Sequence, residues 1–442
     1  MNDTGTGLTA RRLALKLLGD VLHRRLPLDE SLATLLSEPV HDAMSAADRG
    51  LVRAIVTAAL RHLGSLRALL GARLRLGIPE RSGQLEYLLL IGLTQILHLD
   101  VPDHAAVDTT ISLIREDARA TRFAGLANAT LRRVATDRAA ILAAVDPALN
   151  APAWLLERWS NAYGEAAARA IAAAQMHEPT LDISVKSDPQ GWAERLDGLV
   201  VGLGTVRLNG HARIPDLPGF TDGAWWVQDA AASLPVALLA PQPGETVLDL
   251  CAAPGGKTAQ ILSHGAAAIA VDRSEPRMAR LAENLARLGL AAECRIADAA
   301  SFDHEPVAAL LLDAPCSATG TIRRHPDVAW TKTGEDILKL ANLQRRLLER
   351  AATLVRPGGR LVYATCSLEP EEGERQAEGF LQRHPEFRRG PVQAEEVGAF
   401  AEAITPAGDL RVLPFHLAHP QPRLAGADGF YVCRMIRVDE GA

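Results

Sequence analysis

Apolar residues recur at helical spacing along the first third of the chain. Leu13, Leu15, Leu17, Leu18, Val21 and Leu22 form the first stripe, closed by His23-Arg24-Arg25 with Pro27 just beyond. Further stripes run through residues 51–70, 85–97, 107–114 and 123–134, separated by turns at Gly77-Ile78-Pro79 and Pro102-Asp103. No period-two alternation interrupts them before about residue 135, so the pattern predicts an all-α bundle of roughly five to seven helices. Residues 136–152 predict a linker helix ending at Pro147, Asn150 and Pro152, and residues 154–173 a further helix. Short runs at 181–185, 199–208 and 225–227 predict strands of a small α+β segment. From Pro241 the texture changes. Strand patterns at 247–250, 267–271, 293–296, 308–312 and 360–365 alternate with helix patterns at 257–264, 275–288, 335–354 and 372–383. Such alternation is the signature of a parallel sheet. Residues 429–436 follow an Asp428-Gly429 turn and predict a final strand in a terminal hairpin. The expected domains are 1–140, 141–235 and 236–442.

Composition refines this picture. A chain of 442 residues with 48% hydrophobic and 23% charged residues is ordinary globular material, too long for one core. Residues 1–10 are polar, unlike a signal peptide, and no run of about 18 apolar residues predicts a membrane span. Five cysteines are neither paired nor dense, which fits a reducing, cytoplasmic setting; no metal is expected, and the chain is expected to be a monomer. The net charge is −6, yet residues 1–150 hold 18 Lys+Arg against 16 Asp+Glu, leaving −8 for the remainder. A local basic face can still bind phosphates on such a protein.

The glycine-rich turn Asp249-Leu250-Cys251-Ala252-Ala253-Pro254-Gly255-Gly256-Lys257-Thr258 joins a predicted strand to a predicted helix. Glycines there let the backbone approach a ligand, and the helix N-terminus favours negative charge. Gly256-Lys257-Thr258 fits the end of a phosphate-binding P-loop, but Cys251 stands where its first glycine is required. The competing reading is S-adenosylmethionine in a Rossmann-like sheet. It requires an acid after the second strand for the ribose hydroxyls, and Asp272 is there. Asp298 follows the third strand, in reach of an adenine amino group.

Two further segments carry chemistry: Leu310-Leu311-Leu312-Asp313-Ala314-Pro315-Cys316-Ser317 and Leu361-Val362-Tyr363-Ala364-Thr365-Cys366-Ser367-Leu368. Each places a thiol at a strand end. Pyrimidine C5 is a poor nucleophile until a thiolate adds at C6 and turns C5 into an enamine carbon. That route needs a nucleophilic cysteine, a group on the N3/N4 edge and a base for the C5 proton. Cys316 and Cys366 are candidate thiols, Asp313 is placed for the pyrimidine edge, and Lys257 supplies positive charge nearby. Which thiol attacks stays open on the residues alone. Cys294 and Cys433 read as small buried hydrophobes, and Cys251 as loop packing. An exocyclic-nitrogen methyltransferase would want an aromatic in the fourth-strand loop, which Asp313-Ala314-Pro315-Cys316 lacks. A DNA or small-molecule methyltransferase and a non-catalytic RNA-binding scaffold are the rival classes.

These motifs, with Gly320-Thr321-Ile322-Arg323-Arg324-His325-Pro326-Asp327, closely resemble the NOL1/NOP2/Sun family of RNA cytosine-5 methyltransferases. The N-terminal helices, Leu126-Ala127-Asn128-Ala129-Thr130-Leu131-Arg132-Arg133 above all, resemble a NusB-like RNA-binding domain. The resemblance implies a multidomain chain: an all-α NusB-like bundle, a small α+β middle segment and an α/β Rossmann-like class I methyltransferase domain. It implies S-adenosylmethionine as cofactor, held by residues 251–257, Asp272, Asp298 and Asp313. It implies an RNA substrate, small-subunit 16S rRNA, with Cys366 as nucleophile and Cys316 assisting product release. RNA affinity is expected from the helical domain, the middle segment and Arg323/Arg324. Asp48, Arg49 and Arg53 read as a solvated helix face.

Overall fold

The computed structural model describes residues 4–38, 44–74, 76–210 and 213–438. They form two compact units. One comprises the chain up to Met176 together with Arg324–Lys332; the other comprises His177–Arg323 and the chain from Thr333 onward.

The first unit is helical throughout its described residues, with helices at Thr4–Arg24, Leu28–Leu36, Ala46–Arg61, Leu63–Arg73, Leu85–His98, Asp103–Glu116 and Ala124–Thr136. Leu85–His98 is apolar on nearly every face and lies at the centre: Leu85, Leu88, Leu89, Leu90, Ile91, Leu93 and Ile96 are all buried. Each such side chain contributes about 1.5–3 kcal/mol of transfer free energy. A β-carbon on Gly92 would meet Leu131 and Thr110 at 3.0 Å, so glycine lets three helices close together. The buried Gln95 accepts from Arg11 Nε at 2.7 Å, which satisfies a guanidinium whose pKa burial lowers. Three expectations are corrected in detail. The stripe at 51–70 is two helices broken at His62, whose φ of −107° and ψ of 14° leave the helical region. The linker helix is short, Arg138–Ala143, followed by a 3-10 turn at Pro147–Asn150. The helix at 154–173 is interrupted at Gly164, whose φ of 85° ends one helix at Tyr163 before the next begins at Glu165.

The segment Arg324–Lys332 folds with these helices. Asp327 accepts from the Leu28 backbone N–H at 3.0 Å, where Pro27 offers the helix no side-chain cap. Trp330 donates its indole N–H to Leu60 O at 2.9 Å. Asp29 pairs with His325 and Arg53, and the hydrogen bond from His325 leads the effects that hold its carboxyl down at about 2. Arg53 is thereby engaged, although its helix face is solvated as expected.

The second unit begins with an antiparallel sheet of β1 (Asp182–Val185), β2 (Gly198–Val200), β3 (Thr205–Leu208) and β4 (Trp225–Val227), in the order β2-β3-β1-β4. The run at 199–208 is thus two strands around a turn at Gly204, not one. A buried ion pair fixes this sheet: Arg207 donates to Asp182 at 2.7 and 2.8 Å and to the carbonyls of Leu424 and Gly426 at 2.8 and 2.7 Å.

The larger sheet contains β5 (Thr246–Leu250), β6 (Ala267–Asp272), β7 (Glu293–Ile296), β8 (Val307–Asp313), β9 (Val355–Thr365), β10 (Phe387–Arg389), β11 (Leu410–Val412) and β12 (Phe430–Arg437). Its order is β10-β12-β9-β8-β5-β6-β7, with β11 also on β12. Strands β5 to β9 are parallel and β12 runs antiparallel to β9. The expected terminal hairpin is present in wide form: β12 pairs antiparallel with β11 across the long 413–429 connection, and it also inserts between β9 and β10. The chain order reverses between β5 and β8, and an open α/β sheet binds ligands at the carboxyl ends of such strands. Their apolar residues are buried on both faces, as a helix-covered parallel sheet requires.

Candidate active site

The turn after β5 is built to bring backbone close to a ligand. Cys251 and Gly255 have φ of 63° and 99°, and the Ala253–Pro254 peptide is cis. The helix Gly256–Ser263 starts immediately afterwards. Gly255 is required twice, by its left-handed backbone and because a β-carbon would stand 2.8 Å from Leu281. Leu281 lies on the buried face of the helix Glu275–Arg287, and that helix also clamps the turn through Asn284, which donates to Pro254 O at 3.1 Å, and Arg277, which donates to Ala253 O. Asp272, at the end of β6, accepts from Ala253 N at 3.2 Å and from Ser274 N at 3.0 Å. Its Oδ2 also faces Arg277 Nη1 at 3.5 Å, while its Oδ1 retains a lone pair for another donor. Asp298 is exposed beyond β7 and accepts from Ala300 N at 2.9 Å. Asp249 is fully buried; its Oδ2 accepts from Thr258 at 2.6 Å and its Oδ1 has no partner.

The ends of β8 and β9 hold the thiols. Asp313 sits opposite Ala364 in the pairing, and Ala314 N donates to Ala364 O at 2.9 Å. Cys316 and Cys366 are free, and their sulfurs are 3.4 Å apart. Lys257 reaches from the cofactor turn to Asp313 at 2.8 Å, with its ammonium 5.0 Å from the centre of the Phe430 ring. The Cys316 pKa is raised by its hydrogen bond to Cys366, by burial, and by the negative potentials of Cys366 and Glu372. Desolvation raises the Cys251 pKa, with Asp272 and Asp313 adding to it, which disfavours its thiolate. The two loops are also stitched together: Gly320 N donates to Cys366 O at 3.0 Å, and Gly429 N to Gly320 O at 2.8 Å.

Two residue expectations are corrected. Arg323 is 3% exposed and lies near Asp428 at 3.9 Å, so the interior holds it and RNA cannot reach it; Arg324 is exposed. Cys294 is exposed because β7 is the edge strand, whereas Cys433 is buried as expected. Sequence reasoning missed Glu372, wholly buried beside the thiol loops. Its one signal was an acid six residues after Cys366, in a Glu-rich run that gives no sign of which acids are buried.

Two family models match the chain: 16S rRNA methyltransferase RsmB/F over residues 236–436 and the NusB family over residues 8–136. The ribosomal RNA small subunit methyltransferase B of Salmonella arizonae is 35% identical over 433 residues, covering 92% of this chain and 95% of the relative. This chain belongs to the RsmB/F methyltransferase family. The crystal structure of the protein PH0851 superposes with a TM-score of 0.72 at 24% identity, covering 98% of this chain and 99% of that one, a likeness of fold. A methyltransferase homologue from Pyrococcus horikoshii gives a TM-score of 0.53 at 28% identity, covering 64% and 94%. As in its family, the activity is S-adenosylmethionine-dependent RNA methylation, on a NusB-type helical domain followed by a Rossmann-like one. The residues present fit that cofactor: a tight turn opening onto a helix N-terminus, and the buried Asp272 with acceptor capacity left. No helix among the described residues is long and apolar enough to cross a membrane.

Proposed function

We propose that this member of the family methylates C5 of a cytosine in small-subunit 16S rRNA through a covalent bond between Cys366 and C6. The observation that carries the reading is the pair of free sulfurs 3.4 Å apart at adjacent strand ends, beside Asp313 and Lys257. S-adenosylmethionine supplies the electrophilic methyl group, held by residues 251–257, Asp272, Asp298 and Asp313.

The Cys366 thiolate adds to C6, forming the S–C6 bond; the ring's π electrons shift toward C5 as N3 takes a proton. Asp313, anchored by Lys257, accepts from the N4 amino group and orients the ring. Once C5 carries its methyl, its proton leaves to a base, N3 gives back the proton it took, and the C6–S bond breaks, returning the thiolate and restoring the aromatic ring. Cys316, whose environment keeps it a thiol, assists that release from 3.4 Å away. The relatives named for small-subunit ribosomal RNA supply the substrate assignment. A structured target must expose or flip its cytosine, at a cost of about a few kcal/mol.

Labelled rRNA and cofactor followed on denaturing gels test the order of the thiols. Cys316→Ala accumulates a covalent RNA adduct, and Cys366→Ala forms none. An adduct that persists only in the Cys366 variant reverses the assignment, and bisulfite sequencing of rRNA from a deletion strain identifies the base.

A further inference from the structure

We propose that Glu372 is a positioning residue that clamps the loop carrying Cys316 to the loop carrying Cys366 and so sets the two sulfurs for covalent catalysis. The inference rests on the cysteine mechanism above and adds a residue to it. Glu372 is 0% exposed. Its Oε1 accepts from the Ser317 backbone N–H at 2.9 Å and from Gln344 Nε2 at 3.1 Å. Its Oε2 accepts from the Ser367 hydroxyl at 2.6 Å and from the Ser317 hydroxyl. Ser317 directly follows Cys316, and Ser367 directly follows Cys366. One carboxylate therefore joins the residues next to both thiols, and the two serine oxygens lie 3.2 Å apart.

The group is itself held rigidly. Its backbone carbonyl accepts from the Tyr363 hydroxyl at 2.6 Å and from the Thr365 hydroxyl at 3.3 Å, both on β9. The Gln344 donor also reaches Pro315 O at 2.9 Å, on the other side of Cys316. Every donor to the carboxylate is a neutral group. A buried anion without a cation costs several kcal/mol unless its lone pairs are filled, and here four donors fill them. An ionised carboxylate is acceptor-only and takes four such bonds, whereas an amide would set two N–H groups against these donors. The sequence thus bears a costly group where its one geometric effect is to fix two sulfur-bearing loops. The cofactor turn at 251–257 makes no hydrogen bond to it, which separates the clamp from cofactor binding.

The test uses full-length protein and a small-subunit rRNA transcript in which 5-fluorocytidine replaces cytidine. Fluorine cannot leave C5 as a proton, so the adduct accumulates. Rates of adduct formation at saturating RNA are measured in single turnover for wild type, Glu372→Ala and Glu372→Gln, with S-adenosylmethionine affinity and melting temperature in parallel. Misplacing a reacting atom by about 1 Å costs on the order of 10²-fold. Glu372→Ala is therefore expected to form adduct about 10²-fold more slowly at wild-type cofactor affinity, and Glu372→Gln to recover part of the rate. Should Glu372→Ala not fold, Ser317→Ala with Ser367→Ala removes the two hydroxyl donors and is expected to slow the same step. Adduct formation at the wild-type rate, or a slowing matched by equal loss of cofactor affinity, overturns the proposal. Absence of adduct in wild type overturns the covalent reading itself, and the clamp with it.

Discussion

Asp249 gives a pH dependence that can be worked from the structure. It lies on β5 directly beneath the cofactor turn, fully buried, with one oxygen bonded to Thr258 and the other unpartnered. Burial raises its carboxyl from 3.8 to about 7, with Thr258 and Lys257 opposing the shift and Asp313 and Asp272 adding to it. Between those values the folded state binds a proton that the unfolded chain has lost, so stability falls as pH rises. The contribution is fully present below pH 3.8 and gone above about 7. At about 1.4 kcal/mol per pH unit the difference is on the order of 4 kcal/mol. Asp249→Asn stays neutral and still accepts from Thr258, so it lacks this dependence. Hydrogen exchange of peptides from β5 reports the opening free energy of this unit alone, avoiding the two-unit unfolding of the whole chain. The variant's advantage over wild type is expected to grow from pH 4 to pH 8 by on the order of 4 kcal/mol. A difference that stays flat across that range refutes the reasoning.

Other substitutions separate packing from chemistry. Gly320→Ala places a β-carbon 2.0 Å from Gly429 O and 2.8 Å from Cys366 O, both backbone atoms that yield little. A stability loss of about 1–3 kcal/mol with loss of methyl transfer is expected, read by melting temperature and labelled-methyl incorporation. Arg207→Leu strands the buried Asp182 carboxylate, already driven up by desolvation, and is expected to cost about 3–5 kcal/mol in urea unfolding of its unit. Replacing Asp182 as well recovers part of that cost; no recovery in the double variant would count against the pairing. Lys257→Ala removes the partner of Asp313 and is expected to lower kcat/KM about 10²-fold, and an unchanged value dismisses the lysine's role.

Periodicity disclosed the helical first unit and the parallel strands because both are local properties of the chain. The breaks were harder to read. His62 ends a helix inside an unbroken apolar stripe, and Gly164 acts through a backbone angle that its neighbours do not announce. The final strand was legible, but its place in the sheet was not, since nothing local says that Tyr431 of β12 lies opposite Thr365 of β9. The cofactor turn, both thiols, Asp313 and Lys257 stood out because strand ends next to glycine or proline mark sites. Arg323 misled because a charged side chain in a motif reads as surface, and burial depends on the loop at 425–428 that folds over it. Glu372 was hidden by its setting, an acid among acids in Glu369-Pro370-Glu371-Glu372-Gly373-Glu374. Glu369 and Glu372 both turn inward, and only the fold shows that the Glu372 carboxylate joins the serines beside the two thiols.

The order of the two thiols illustrates the limit most sharply. Cys316 and Cys366 share a strand-end position, a following serine and a common sulfur–sulfur contact, so residue type and spacing treat them alike. Cys316 is enclosed, hydrogen-bonded to its neighbour and subject to the negative potential of Glu372, all of which oppose ionisation. A protonated thiol is a poor nucleophile and a weak hydrogen-bond donor, and at 3.4 Å either sulfur can donate to the other. On the proposed mechanism these two similar cysteines take different roles, and the carboxylate that adds to the surroundings of Cys316 touches neither sulfur. On this view the chemistry resides in the thiols, and their relative placement resides in the carboxylate that joins the loops behind them.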